Sequence, residues 1–408
     1  MTSPHSRKSI GRSPVWRAFL LIPLVLACFA LAQLPATGTH NGALDRGNTP
    51  LGVAIITFDA PGAGTGPGQG TIPYAINQAS TIAGFDLDAS NVYHGFLRAA
   101  GGTITVFDAP GAGSGPFQGT QPLSMNVSAV TTGIYTDASN VYHSFLRAAG
   151  GTITPFDAPD AGTDPGQGTI ASDINPAGVI AGHYFDPDSL SHGFVRAPDG
   201  TITSFDAPGA AGTFMGTVDC LNSAGAIAGL SIDANNAYHG YLREPDGTIT
   251  VFDAPDSGTG PGQGTYPTGI NNAGKIGGID IDASSVNHGF VRAPDGSFTT
   301  FDVPGGGTGP GQGTLPANIN ASGAITGYYV DASNVYHGFL RAADGTITAT
   351  FDVPGGGTGP GQGTFPSCNN DADAITGFYI DASNVNHGFL RPRAAPTPRP
   401  RPTPPPRP

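Results

Sequence analysis

Seven histidines recur in near-identical settings, at His94, His143, His192, His239, His288, His337 and His387, each six residues after an aspartate. An imidazole near a carboxylate is an elementary acid–base pair, and a neutral imidazole is a metal ligand. Catalysis needs such a group once per site, at one geometry. Seven copies in separate repeats do not converge on one reaction. The pattern predicts a structural imidazole at a strand edge, bonding the turn aspartate or a backbone carbonyl and holding a hairpin.

The aspartates Asp88, Asp137, Asp186, Asp233, Asp282, Asp331 and Asp381 stand in Asp-Ala-Ser-Asn-like stretches that read as Asx turns. Asp86 and Asp280 add a second carboxylate, in "DLDASN" and "DIDASS". The pairs Asp86/Asp88 and Asp280/Asp282 could hold Ca²⁺ with loop oxygens. No distal Glu at EF-hand spacing follows, so the chain is read as carrying no cofactor, with Ca²⁺ the alternative.

These residues are positioned by a repeat. The "FD" pairs begin at Phe58, Phe107, Phe156, Phe205, Phe252, Phe301 and Phe351, in step with the histidines at a period of 49 residues broken once to 47 and once to 50. Each period reads as four strands: "TLPANIN" (Thr314–Asn320), "AITGYYVD" (Ala324–Asp331), "YHGFLRA" (Tyr336–Ala342) and "TITATFDV" (Thr346–Val353). Alternating apolar residues and Asp-Gly or Asn/Ser turns mark an antiparallel meander. Four strands per period is the signature of a propeller blade.

The ends of the chain argue against an open solenoid. The repeats begin with a lone fourth strand, "VAIITFDAP" (Val53–Pro61), and finish at Arg391 with three strands lacking a fourth. The expectation is an all-β, seven-bladed β-propeller over residues 53–391, its ring closed by the N-terminal strand completing the last blade. The repeat unit "IN…G.I.G.Y…HGFL…DG.I..FD" resembles the bacterial extracellular HAF-type repeat family, with Gly (once Ser144) in place of the namesake Ala. The resemblance implies export and a propeller-like repeat, and supplies no catalytic residues.

The Gly-rich loops, such as "PGGGTGPGQGT", lack the Gly-Lys-Ser/Thr ending of a phosphate loop and read as flexible connections. The places where the repeat fails are more informative. Before the "IN" of each first strand, or its counterpart, stand Ala75, Ser124, Asp173, Cys220, Gly269, Asn318 and Cys368, a mixed ring facing the expected channel. The fourth blade loses its loop Gln and gains Phe214 and Met215, the third adds His183 and the fifth adds Lys275. Cys220, Asp219, His183 and Cys368 are the candidate catalytic set. Cys220 and Cys368 are expected as free, buried thiols, since blades so far apart exceed disulfide reach.

Residues 1–32 read as a signal peptide, with a basic start, an apolar run (Ala18–Ala32) and a small-residue cleavage site at "ALA". "LVLAC" also offers acylation at Cys28. Residues 33–52 read as a linker and 392–408 as a Pro/Arg-rich tail of polyproline type. Four of the 17 basic residues and none of the 30 acidic ones lie in residues 1–32, so the remainder carries a net −17. That charge repels phosphate backbones and excludes nucleic acid as a partner.

No His-Glu-x-x-His, Gly-x-Ser-x-Gly or Cys-x-x-Cys occurs. The expected function is a secreted or periplasmic, non-enzymatic module for binding, adhesion or scaffolding. Its partner would be an extracellular protein or glycan, it would be monomeric, and it would touch a membrane only through an acylated Cys28. The alternatives are an exported hydrolase or lyase with its site in the channel, and a calcium-stabilised carbohydrate-binding module.

Overall fold

The computed structural model describes residues 54–216 and 219–393. The expected signal peptide, Cys28 acylation site and linker, and all of the tail but its first two residues, lie outside the described residues. The described chain contains 28 strands and no helix. They are grouped as four-stranded antiparallel units of the propeller-blade kind, numbered here 1 to 7.

Unit 1 shows why the strands end where they do. It runs through Gly70–Ile76, Ile82–Leu87, Tyr93–Arg98 and Ile104–Phe107, each strand antiparallel to the next. At the first turn, Asn77 Oδ1 accepts from the backbone N–H groups of Ala79 and Thr81, both at 3.0 Å. At the second, Asp88 Oδ1 accepts from Ser90 and Val92, both at 2.8 Å, with Asn91 left-handed at φ 62°. An Asx side chain thus replaces the strand ladder just where the chain must reverse. The seven predicted turn aspartates all make this bond pair.

Unit 7 has three strands from the end of the chain, Gly363–Asn369, Ile375–Ile380 and Asn386–Arg391. Its fourth strand is Ile56–Phe58, antiparallel to Asn386–Arg391 with Ile56 opposite Leu390 and Phe58 opposite Gly388.

Three kinds of contact recur between neighbouring units. First, the Gly of each "QGT" makes a one-residue parallel bridge to the preceding third strand, as Gly70 does to Asn386. Gly70 sits at φ +112°, and a Cβ there would collide with the Asn386 carbonyl oxygen. Second, the third-strand aromatic Phe96 is fully buried and meets Phe58 edge-on at 6.2 Å, while the Arg98 guanidinium lies 4.7 Å from the Phe58 ring centre. All seven third-strand arginines repeat this stacking, at 4.5 to 5.1 Å. Third, the turn asparagine of one unit donates its Nδ2 to the carbonyl of the next, as Asn126 does to Asn175.

The Gly/Pro loops differ from the expectation of flexible connections. Gln69 Oε1 accepts from Gly66 N–H at 2.9 Å, and its Nε2 donates to Asn91 Oδ1 at 3.0 Å. One amide side chain closes the loop and ties it to the Asx turn of the same unit. The arrangement recurs at Gln118, Gln167, Gln263, Gln312 and Gln362. Unit 4, lacking this Gln, is also the unit whose first strand is cut to four residues, Gly212–Met215.

If the terminal strand is as structural as an internal one, Phe58→Ala should cost about the same as Phe107→Ala. Each removes one edge-on aromatic pair and one cation–π contact, together about 1–2.5 kcal/mol. Denaturant unfolding of both variants checks this. A cost for Phe107→Ala alone would show the terminal strand fraying from unit 7.

Candidate functional site

One cavity of about 190 Å³ is lined by Ile76, Asn77 and residues at the same two positions of the other units, Asn369 among them, and by Asp173 and Asp219. In every unit but the fourth, the strand registers slip just before this point, between Pro73 and Ala75 in unit 1 and Ala171 and Asp173 in unit 3. A bulge re-aims the side chain that follows it. In unit 4 the first strand ends at Met215, the next pairing is the single bridge Leu221–Ile227, and Asp219 sits left-handed at φ 50°.

These devices bring together part of the expected mixed ring. Asp173 Oδ1 accepts from the Ser124 hydroxyl at 2.6 Å and from Ile174 N–H at 2.7 Å, and its Oδ2 accepts from Leu221 N–H at 2.8 Å. Asp219 Oδ2 accepts from Asn318 Nδ2 and from the Cys368 thiol, the sulfur lying 3.8 Å away. Residues of units 2, 3, 4, 6 and 7 therefore meet around two carboxylates. Burial pushes Asp173 up to about 7, the charge of Asp219 adding to the effect, and burial raises Asp219 as well.

The candidate catalytic set is divided by the structure. Asp219 and Cys368 lie together. Cys220 instead packs in an apolar cluster with Ala181, Met215, Ile227 and Tyr241. His183 is held edge-on between Phe185 at 5.7 Å and Phe214 at 5.5 Å, and burial lowers it to about 4. Both thiols are free and buried, and burial, with the nearby carboxylates, raises each well above its ordinary range. A nucleophilic cysteine requires the thiolate, so neither is poised for attack. Lys275 contributes its backbone N–H to the Asn271 turn.

The repeated histidines bond carboxylates, but the nearer partner is not the turn aspartate. Nδ1 meets the aspartate that follows the fourth strand at 2.8 to 3.0 Å, while Nε2 faces the turn aspartate at 3.4 to 3.8 Å. His94, for example, bridges Asp88 and Asp108, and His387 bridges Asp381 and Asp59. Each histidine thus pins the second-to-third turn to the fourth strand of its own unit. Burial opposes the charge on His288 and His337, yet the hydrogen bonds and charges of Asp302 and Asp352 outweigh it, raising both above the usual range.

The predicted metal pairs do not form sites. Asp88 and Asp282 are spent in their turns, and Asp86 and Asp280 are buried inside the sheet. Among the described residues no group of three or more His, Cys, Asp or Glu is placed to hold a metal ion. At the register position of Asp86 and Asp280 other units hold Tyr135, Tyr184, Tyr329 and Tyr379, stacked on their histidines at 4.8 to 5.2 Å. Asp280 receives a hydrogen bond from Ser257, whereas both oxygens of Asp86 lack partners.

The turn asparagines and Asn369 escaped the sequence reading. Their signal was there, in Asn at one position in all seven periods and in Asn369 standing where the other units hold Ile, Leu or Met.

Unit 5 suggests how to relieve Asp86, since Ser257 stands where unit 1 has Ala63. Burial raises the Asp86 carboxyl from 3.8 to about 7. Folding favours the protonated form, so Asp86 destabilises the fold progressively as pH rises from about 4 through 7. Ala63→Ser should therefore stabilise the chain more at pH 8 than at pH 4 in denaturant midpoints. A gain independent of pH would show that the serine does not reach Asp86.

No family model and no curated protein matches the chain. Solved structures do share its fold. One described as a streptogramin B lyase is 15% identical with a TM-score of 0.52, over 82% of this chain and 97% of that one. Virginiamycin B lyase from Staphylococcus aureus is 15% identical with a TM-score of 0.51, over 83% and 99%. A puromycin hydrolase variant reaches 13% and 0.50, over 76% of this chain and 50% of its own. Likeness at such identity concerns the fold, and the chain has the fold of a β-propeller.

Proposed function

We propose that the chain is an exported, monomeric, closed seven-bladed propeller of the HAF-type repeat kind, used as a binding, adhesion or scaffold module outside the cell. The strand Ile56–Phe58, paired with Asn386–Arg391, would close the ring. The observation that carries the reading is the sevenfold identity of the surface hairpins. Every repeated histidine is held between two aspartates in one geometry, and six of the seven units clamp their loop with the same glutamine. A repeated surface suits a repeated partner, such as a glycan or an extracellular protein array. It gives no reason to single out one blade for chemistry.

The second reading, an exported hydrolase or lyase, is favoured by one feature, two buried carboxyls at the cavity, Asp173 and Asp219, both raised above the ordinary range by burial. Carboxyls so tuned are suited to acid–base work. The two readings differ in stoichiometry. Equilibrium binding of the full chain to extracellular polysaccharides and matrix proteins should give several equal sites per chain, unchanged in Asp219→Asn. Turnover of the bound material that is abolished by that substitution would overturn the module in favour of the enzyme.

A further inference from the structure

The cavity has a chemical bias that its repeat does not require. Its lining includes Asp173, Asp219 and Asp371 and no Lys, Arg or His. Six of the seven turn asparagines around it have both ends of the amide engaged. In unit 3, for example, Asn175 Oδ1 holds its own turn and its Nδ2 bonds the next unit's carbonyl. The buried side-chain atoms without partners at this cavity and its wall are two acceptors. Asn369 lines the cavity, is 2% exposed, and its Oδ1 has no hydrogen-bond partner, while its Nδ2 donates to the Ala324 carbonyl. Asn318 Oδ1, behind Asp219, is equally buried and unpartnered. A buried carbonyl left unsatisfied costs about 1–3 kcal/mol, so a polar residue at this otherwise apolar position calls for a donor.

Beside these acceptors the wall is apolar. Ile76, Ile174, Ile270 and Ile319 line the same cavity from four units. Where three carboxylates and unpaired carbonyls face aliphatic side chains, the complementary ligand carries a positive charge, N–H donors and a short hydrocarbon chain. The absence of three or more His, Cys, Asp or Glu grouped as metal ligands among the described residues directs the choice toward N–H donors and away from a metal ion.

We propose that the cavity binds a primary alkylammonium group, its N–H donors on the Asn369 carbonyl oxygen and the Asp219 carboxylate and its chain against the isoleucines. A free amine and the end of a lysine side chain share this chemistry. The ammonium charge offsets the mutual repulsion of Asp173 and Asp219, with Asp371 adding to the attraction at the cavity wall. The raised Asp173 and Asp219 carboxyls accord with this, since a bound cation would favour their ionised forms.

The test is calorimetric titration of the full chain with butylammonium, butyltrimethylammonium and Ca²⁺ in parallel. Butylammonium should bind once per chain. Asp219→Asn and Asn369→Ile should each weaken it at least about tenfold, the worth of one charge-assisted hydrogen bond. Butyltrimethylammonium, with the same charge and no N–H donor, should not bind at the same concentrations. Asn369→Ile installs the residue found in units 1, 3, 5 and 6, so its melting temperature should hold even if Asp219→Asn fails to fold. Equal binding of the quaternary ion, undiminished binding in Asn369→Ile, a preference for Ca²⁺, or no saturable butylammonium binding would each overturn the proposal. A lysine peptide that competes with butylammonium would assign the site to a protein partner, and one that does not compete would assign it to free amines.

Discussion

The contacts between units depend first on an asparagine that, in six of the seven repeats, does two jobs. Its Oδ1 holds the first hairpin of its own unit, and its Nδ2 reaches the carbonyl of the equivalent asparagine in the next. The links run Asn126 to Asn175, Asn175 to Asn222, Asn222 to Asn271, Asn271 to Asn320 and Asn320 to Asn370, at 3.0 to 3.4 Å. Asn370 then donates to Asn77 at 3.1 Å, joining the last unit to the first. Each link satisfies a buried amide and a buried carbonyl together, so breaking one strands both. The same geometry sets the first strands side by side and thereby creates the cavity.

Farther from the cavity the units are joined by apolar and cationic packing. The fully buried ring of each third strand, Phe96 and its counterparts, fills the sheet interior, and the neighbouring arginine has its guanidinium carbon over the preceding unit's fourth-strand phenylalanine. Unit 4 shows how narrowly this is tuned. Its buried ring is Tyr241, whose hydroxyl donates to the Phe214 carbonyl at 3.0 Å.

The irregularities share a location. The cut first strand of unit 4, the left-handed Asp219, the thiol of Cys368 and the amide of Asn369 all concern the cavity or its immediate wall. The outward surface keeps its sevenfold regularity in the histidine–aspartate bridges. Two buried carbonyl oxygens without partners, on Asn318 and Asn369, lie at that same end of the first strands.

The sequence by itself determined the strand count, the turn chemistry and the borrowed fourth strand, because those are local or periodic properties. Asp88 and its six counterparts make their Asx turns through backbone groups two and four residues away. The complementary ends predicted the pairing of Ile56–Phe58 with Asn386–Arg391 by counting alone. Only the tertiary structure decided which side chains meet. It chose Asp108 over Asp88 as the closer partner of His94, placed Cys220 in an apolar cluster away from Cys368, and carried Asp219 of unit 4 to Asn318 and Cys368. Those partners are up to 149 residues apart, and strand bulges and one truncated strand turn them toward each other. A one-residue register slip is invisible in a repeat pattern, yet it decides which face each side chain takes.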